Sequence, residues 1–173
     1  FHYFMGVAGK VEKLRIANKP VPIGFKILYQ IGRILVYGPL TDNLGMKNVR
    51  VAYNAGEAIG PEIFEFFRSL GINLKQLYGM TESCALVSIQ KDGDIESDTV
   101  GTPVPGVDIK ISENGEVLYK SPGNFSGYFK NDEATKQTLV DGYVLSGDAG
   151  YITRHGHLKI IDRAKDVSKL NDG

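Results

Sequence analysis

Apolar residues recur at helical spacing over the first third of the chain. Their spacing predicts one helix over Tyr3–Ala17 and a second over Gly24–Val36, each with an apolar face. Tyr37-Gly38-Pro39 is predicted to break the second helix, and Leu40–Leu44 to add a short helical turn. Nothing in these segments points to chemistry, so we interpret them as scaffold.

A strand, a helix and a second strand are predicted next. Val49–Tyr53 is a short β-rich run typical of a buried strand, and Leu74–Tyr78 is another. Between them, Pro61 opens a helix that Gly71 ends. The predicted buried side of this helix consists of Ile63, Phe64, Phe66, Phe67 and Leu70. Two strands joined by one helix predict a parallel crossover unit, in which ligands gather beyond the carboxyl ends of the strands.

The pattern changes after Ser88, where helical spacing gives way to alternation and glycine becomes frequent. Turn signals at Asn114-Gly115 and Asp141-Gly142 separate short alternating runs, and Asn131–Leu139 is predicted as a brief helix. The predicted strands are Val107–Ile111, Glu116–Tyr119, Tyr143–Leu145, Gly150–Thr153 and His157–Ile161. The predicted fold class is therefore α/β, a parallel α/β portion (1–90) followed by a small antiparallel β-subdomain (91–161), with a hinge at 162–173.

Five consecutive positions, Tyr78 to Glu82, carry side chains suited to a nucleotide. The ring of Tyr78 can lie against a purine, and Gly79 lets the backbone approach a ligand closely. The hydroxyl of Thr81 can donate to a phosphate oxygen, and Glu82 offers the hard oxygen that Mg²⁺ prefers. Taken alone, such a stretch is also typical of an ordinary strand end.

Composition narrows the class of protein. With 20 basic and 20 acidic residues the net charge is +0, which argues against a nucleic-acid partner and gives no sign of a polybasic membrane patch. A hydrophobic content of 42% argues against disorder. Cys84 is the single cysteine, so no disulfide can form within the chain, and a reducing, cytoplasmic location is expected. Neither a signal-peptide pattern nor an apolar run of membrane-spanning length is present in the sequence.

Several segments match one family in order and spacing between about residue 45 and residue 173. Tyr78–Glu82 resembles the YGxTE motif of the adenylate-forming acyl-CoA synthetases, the AMP-binding superfamily. Gly56-Glu57-Ala58 stands where that family has its adenine-contacting segment, and Leu145–Asp148 resembles its TGD motif, with Ser146 in place of threonine. Gly115–Leu118 with Gly127–Asn131 resembles the GEL…GY segment. Asp162-Arg163-Ala164-Lys165-Asp166 resembles the DRxKD motif in the form that suggests long-chain fatty acyl-CoA synthetases.

The resemblance implies roles for the residues on the adenine and phosphate side. Tyr78 would stack on adenine, with Gly56, Glu57 and Ala58 along the same face and Gly79 close to the ligand. Thr81 would bind the α-phosphate, and Glu82 would hold Mg²⁺ against the phosphates.

The resemblance also implies roles on the ribose side and at the hinge. Asp148 would accept hydrogen bonds from the ribose hydroxyls, and Arg163 would lie near ribose and phosphate. Lys165 would sit at the hinge of a C-terminal domain, and Lys169 would reach the phosphate or acyl region. After Lys169 the sequence reads Leu170-Asn171-Asp172-Gly173, where the family often has a glycine pair.

The implied activity is that of a long-chain fatty acid–CoA ligase. ATP, with Mg²⁺, would activate a fatty acid to an acyl-adenylate, and coenzyme A would then form the thioester. The family's Gly-rich phosphate loop and C-terminal catalytic lysine have no counterpart in the sequence, so we expect the chain to be a central fragment, inactive alone. Two alternatives stay open, a ligase that passes the acyl group to a carrier protein and a non-catalytic nucleotide-binding module. The sequence is compatible with a peripheral membrane contact of the longer protein. It does not indicate an oligomeric state.

Simpler interpretations exist for the same residues. Asp148 could be a turn aspartate, and Asp162–Asp166 a solvated run of mixed charge. His155 and His157 flank a turn without metal spacing and are expected at the surface. Nothing beside Cys84 suggests a nucleophile.

Overall fold

The chain forms two compact units in a computed structural model that describes the backbone of residues 1–171 and the side chains of residues 1–167. Phe1–Lys75 and Lys91–Asp98 make up the first unit, and Gln76–Gln90 and the chain from Thr99 onward make up the second. The domain limits expected near residues 90 and 161 stay a prediction.

Four helices form most of the first unit. Helix α1 covers His2–Ile16, α2 Ile23–Gly32, α3 Gly38–Asn43 and α4 Pro61–Ser69. The helices predicted over Tyr3–Ala17 and from Pro61 are confirmed. One cluster of this unit's core is formed by Val7, Ala8, Val11, Tyr29, Tyr37 and Leu70.

The predicted break at Tyr37-Gly38-Pro39 is wrong. A π-helical segment, Arg33–Tyr37, follows α2 directly and leads into α3. Pro39 lies in the first turn of α3, directly after the π-helical segment, where the N–H group of Gly38 donates to the carbonyl of Arg33. The change to π-helical hydrogen bonding at this point lets the helical backbone continue past a residue that has no N–H group. Several apolar side chains of α2 and of the π-helical segment are exposed: Ile23, Ile27 and Ile31 in α2, and Ile34 and Leu35 in the segment.

The first predicted strand is shorter and more exposed than expected. Strand β1 covers only Ala52–Asn54, and the side chains of Val49, Val51 and Tyr53 are exposed. The N–H group of Ala52 donates to the carbonyl of Asn73, just before strand β2. The order β1, α4, β2 is the one predicted for a crossover unit.

Helix α4 buries part of its predicted face. Phe64 is fully buried, whereas Ile63 and Phe66 are exposed. The guanidinium of Arg68 is 2.6 Å from the buried carboxylate of Glu12 on α1, which fixes α4 against that helix.

The second unit contains two antiparallel arrangements. Strand β2, Leu74–Tyr78, occupies the predicted residues, and its part from Gln76 onward belongs to this unit. It pairs with β3 (Ser88–Ile89), which pairs with β4 (Thr102–Pro103). The larger sheet has the order β5-β6-β8-β7, with β9 on β8. Its strands are β5 Asp108–Ile111, β6 Glu116–Lys120, β7 Leu139–Val140, β8 Tyr143–Ile152 and β9 Leu158–Arg163. Helices α5 (Asp132–Thr138) and α6 (Ala164–Asn171) complete the unit.

The core of the second unit lies beneath the larger sheet. Val87, Tyr119 and Val144 are fully buried there, and Tyr78 and Met80 pack against them. The predicted α/β class with a small antiparallel β portion is confirmed.

The surface position expected for His157 is wrong. Only 1% of His157 is exposed, and its Nδ1 atom lies 2.9 Å from the Thr99 hydroxyl. This hydrogen bond lets a histidine beside a turn be buried. His155 is exposed, as predicted.

Within residues 1–171, none of the helices is long and apolar enough to cross a membrane.

Candidate nucleotide site

The end of strand β2 carries the predicted adenine and phosphate residues. Tyr78 closes the strand, Gly79 follows, and a 3-10 turn covers Thr81–Ser83. A Cβ atom on Gly79 would lie 2.2 Å from the carbonyl oxygen of Ala85, so glycine alone allows this approach of two backbone segments. The turn leaves Thr81 exposed.

Ser83 closes this turn through its side chain. The hydroxyl accepts from the N–H group of Met80 at 3.2 Å and donates to the Met80 carbonyl at 2.9 Å. Cys84 and Ala85 then take the left-handed conformation, with φ of 52° and 72°. The turn is therefore fixed by its own contacts, and the Cys84 thiol is exposed beside it.

Glu82 is held at both its side chain and its backbone. The Tyr128 hydroxyl donates to Oε1 of Glu82 at 2.7 Å. The N–H group of Phe125 donates to the Glu82 carbonyl at 2.8 Å. The hydrogen bond to Glu82 is the main reason that the pKa of Tyr128 lies above its ordinary value.

The donor set around Glu82 fits a magnesium ion that is shared with a nucleotide. Among the side chains of residues 1–167, His, Cys, Asp and Glu form no group of three or more that could hold a metal ion by itself. Mg²⁺ in nucleotide sites is commonly held by one or two carboxylates together with substrate phosphates and waters. Glu82 is half-buried, and its second carboxylate oxygen, Oε2, could bind such an ion.

Asp148 lies at the centre of a second cluster. Strand pairing sets Asp148 of β8 opposite Arg163 of β9, and the Arg163 guanidinium is 3.1 Å from Oδ1. The Tyr78 hydroxyl donates to Oδ2 at 2.6 Å. The Asp148 side chain is 16% exposed and that of Arg163 is 59% exposed, so the carboxylate is sheltered and the cation faces solvent.

The same contacts define the state of Tyr78. Burial raises the pKa of its hydroxyl far above the ordinary value, and the hydrogen bond to Asp148 raises it further. The phenol therefore stays protonated and acts as a donor to Asp148.

The Ser146-Gly147-Asp148 segment is ordered by hydrogen bonds of its own. Ser146 donates to the carbonyl of Val117 at 2.6 Å and accepts from the N–H group of Asp148 at 3.1 Å. Gly147 has φ of 71° and donates its N–H group to Oε1 of Glu116 at 2.9 Å. The serine hydroxyl is therefore an anchor for the aspartate.

A cavity of about 560 Å³ adjoins Arg163. Its other lining residues are Glu116, Gly147, Ala164 and Lys165. Lys165 is exposed in the first turn of α6, directly after β9. Lys169, the other predicted lysine, lies outside the described side chains.

Gly56, Glu57 and Ala58 belong to the first unit and are exposed. Gly56 has φ of 88°, which favours glycine, and a Cβ atom there would meet open space. The Asn54 amide donates to the Glu57 carbonyl at 2.8 Å and so shapes the turn after β1. The adenine contact of these residues stays a prediction.

The structure thus groups the predicted residues into two sets within the second unit. Asp148 is joined to Tyr78 by a hydrogen bond and to Arg163 by an ion pair, whereas Glu82 is held by Tyr128. Sequence reasoning gave Tyr128 no role, although Gly127-Tyr128 was part of a matched segment. It also gave no role to Tyr119, which is fully buried beside Ser83.

Known proteins resemble this chain in both sequence and fold. The long-chain-fatty-acid–CoA ligase FadD15 of Mycobacterium bovis is 36% identical over 133 residues, which is 77% of this chain and 22% of that protein. The peroxisomal long chain acyl-CoA synthetase 7 of Arabidopsis thaliana is 33% identical over 80% of this chain and 22% of its own. The chain thus spans about a fifth of the length of these relatives.

A solved structure and a family model also match this chain. O-succinylbenzoate coenzyme A synthetase from Bacillus subtilis, in complex with ATP and magnesium ion, superposes with a TM-score of 0.64 at 26% identity. The match covers 73% of this chain and 30% of that one. Residues 15–129, more than half of the chain, match the family described as AMP-binding enzyme. The chain is thus similar to long-chain fatty acid–CoA ligases, and it belongs to the AMP-binding enzyme family.

Proposed function

We propose that this chain forms the adenine- and ribose-binding part of a ligase that activates a long-chain fatty acid with ATP and transfers it to coenzyme A. The observation that carries the proposal is the sheltered Asp148 carboxylate, held by Tyr78 and Arg163. A carboxylate offers about four lone-pair sites, so two donors leave acceptor capacity for the paired hydroxyls of a ribose. The names of the relatives support the choice of a long acyl chain.

The first step joins the fatty acid to AMP. A carboxylate oxygen attacks the α-phosphorus of ATP, the bond to the bridging oxygen breaks, and pyrophosphate leaves. Thr81 donates its hydroxyl to an α-phosphate oxygen, and the Tyr78 ring fixes the adenine. Glu82 would hold Mg²⁺ together with the phosphates, and the bound ion would neutralise phosphate charge.

The second step forms the thioester. The thiol of coenzyme A attacks the acyl carbon, the bond from that carbon to the phosphate oxygen breaks, and AMP leaves. Asp148 and Arg163 keep the AMP in place as the leaving group. Catalysis in both steps rests on positioning and on charge stabilisation, with no covalent enzyme intermediate.

Pyrophosphate release tests the proposal. The full-length protein is given ATP, Mg²⁺ and carboxylic acids of graded chain length, with and without coenzyme A. We expect release that depends on a long acyl chain and turns over only with coenzyme A. Single-turnover release that ignores coenzyme A would favour a carrier-protein ligase, and no release with any acid would favour a non-catalytic nucleotide-binding module.

Asp148 can be tested against a matched aspartate. Asp148 and Asp108 both lie on strands of the larger sheet and both accept from a tyrosine hydroxyl, Tyr78 and Tyr143 respectively. Asp148→Asn should raise the KM for ATP by about tenfold or more, the value expected for weakened hydrogen bonds to a charged group. Asp108→Asn should leave the KM unchanged, and equal effects of the two would refute the assigned role.

The isolated 173-residue chain should form no acyl-CoA. The expected triphosphate-binding loop and C-terminal lysine are not among its residues, so it would supply only part of the machinery. Measurable acyl-CoA formation by the purified chain would contradict this.

A further inference from the structure

The loop that carries Tyr128 makes two hydrogen bonds to Glu82, one to its side chain and one to its backbone. The Tyr128 hydroxyl donates to Oε1 of Glu82, and the N–H group of Phe125 in the same loop donates to its carbonyl. The rings of Phe125 and Tyr128 pack edge to face, with centroids 4.8 Å apart. Side chain and backbone of Glu82 are thus both set by one loop.

Helix α5 fixes the loop in turn. The N–H group of Tyr128 donates to the Thr135 hydroxyl at 2.9 Å, and this hydroxyl donates to the Asn131 carbonyl at 2.9 Å. The Asn131 side chain caps α5 by accepting from the N–H group of Ala134. The position of the Tyr128 backbone therefore follows from the start of a capped helix.

Gly127 makes this arrangement possible. Its φ is 145°, and a Cβ atom would lie 2.9 Å from Cγ2 of Thr135. A larger residue would push the loop away from α5 and move the Tyr128 hydroxyl. A glycine before Tyr128 thus has a physical reason. It lets the loop contact Thr135 of α5, and this contact sets the position of Tyr128.

We infer that Tyr128 is the positioning residue for Glu82, and that its hydroxyl orients one carboxylate oxygen so that the other faces the metal ion shared with ATP. Glu82 is half-buried and contacts Tyr128 through Oε1 alone. A carboxylate with one oxygen fixed presents its second oxygen in a defined direction, and partners of this kind typically affect metal affinity. The inference rests on the role of Glu82 in the proposed function.

Tyr128→Phe tests the hydroxyl while keeping the ring that packs on Phe125. Tyr143→Phe is the matched control, because Tyr143 also donates to a carboxylate, that of Asp108, and is itself half-buried on a strand. In the full-length protein with a non-hydrolysable ATP analogue, binding of Mn²⁺ is measured from the loss of the free-ion EPR signal. Tyr128→Phe should weaken Mn²⁺ binding by about tenfold, whereas Tyr143→Phe should not.

A second comparison separates positioning from general structure. If Tyr128 acts through Glu82, then Tyr128→Phe should add nothing to Glu82→Gln in Mn²⁺ affinity, so the two effects are not additive. Affinity for the analogue without a divalent ion should be the same in Tyr128→Phe as in the wild type. Raising the Mg²⁺ concentration should restore the rate of pyrophosphate release.

Several outcomes would overturn the inference. These are wild-type Mn²⁺ affinity in Tyr128→Phe, an equal loss in Tyr143→Phe, and additive losses in the double variant. Gly127→Ala offers an independent variant with the hydroxyl retained, and unchanged Mn²⁺ affinity there would also count against it. Failure of the proposed function would look different, because the wild type itself would then show no nucleotide-dependent Mn²⁺ binding and no pyrophosphate release.

Discussion

Tyr78 and Tyr119 belong to the same buried cluster, but their hydroxyl groups have different surroundings. The Tyr78 hydroxyl donates to Asp148. The Tyr119 hydroxyl lies beside that of Ser83 but makes no hydrogen bond of regular geometry with any described residue. Burial raises the pKa of Tyr119 to about 12, and the nearby charge of Glu82 adds to this effect.

Removing the Tyr119 hydroxyl should cost little stability. An unsatisfied buried hydroxyl is itself unfavourable, so Tyr119→Phe should change the free energy of unfolding by less than about 1 kcal/mol, or increase it. Urea unfolding of the two proteins measures this. A loss above about 2 kcal/mol would mean that the hydroxyl has a firm partner.

The same variant should change the pH dependence of stability. Because the folded-state pKa of Tyr119 is above the ordinary value of about 10, its contribution is fully present below that pH. It is lost as pH rises toward about 12. Tyr119→Phe should therefore reduce the decline in unfolding free energy above about pH 10. An unchanged slope would contradict the raised pKa.

For single residues, the sequence indicates candidate side chains but not the contacts that they make. The resemblance named Tyr78, Glu82, Asp148 and Arg163. It could not indicate that the Tyr78 hydroxyl donates to Asp148, because these residues are 70 positions apart and lie on strands of two different sheets. No role was predicted for Tyr128 for the same reason, since its partner Glu82 is 46 positions away.

Among the elements, the junction of β2 with the turn at Thr81–Ser83 depends on Gly79. A Cβ atom there would collide with backbone atoms of Ala85, which a rotamer change cannot relieve. The residues that follow, Cys84 and Ala85, already have positive φ. The turn thus has little freedom to move aside.

Gly79→Ala should displace this turn. We expect a loss of about 1–3 kcal/mol in unfolding free energy, as for an overpacked site, together with weaker ATP binding. The control is Gly9→Ala in α1, where no heavy atom lies within 4 Å of the new Cβ. That change should stabilise the chain by about 0.5–1 kcal/mol, because alanine is the better helix former. Equal effects of both variants on ATP affinity would refute the role of Gly79.

Element prediction succeeded where periodicity was strong and failed where apolar residues covered more than one side. Strand β2 and the extent of α1 follow from their patterns. In α2, isoleucines lie on a side that the unit does not cover, so the pattern predicted the helix but not its buried face. At Pro39 the proline signal indicated a break, whereas the first turn of α3 accepts that residue.

In the molecule as a whole, two separate segments of the chain form the first unit. The segment Lys91–Asp98 returns to it through side-chain contacts. Asn73 donates to Asp92 at 3.0 Å, Asn18 donates to the Gly93 carbonyl at 3.3 Å, and Ser97 donates to Glu65 at 2.9 Å. Such polar contacts between distant positions leave no periodic signal, so the sequence could not predict this return.

The site residues with described contacts lie mostly in the second unit, where two hydrogen-bonded clusters hold the carboxylates of Asp148 and Glu82. This arrangement supports the proposed division of tasks, with ribose at one carboxylate and metal-bound phosphate at the other. The central claim is that the acid is activated by direct attack of its carboxylate on the α-phosphorus.

Isotope transfer tests this claim most directly. The full-length protein is given ATP, Mg²⁺, coenzyme A and a long-chain fatty acid labelled with ¹⁸O in its carboxyl group, and the AMP formed is analysed by mass spectrometry. The account predicts AMP carrying one ¹⁸O atom, because the attacking carboxylate oxygen stays on phosphorus when the thiol displaces AMP. Acyl-CoA formation with unlabelled AMP, or labelled acid consumed without any AMP, would contradict it.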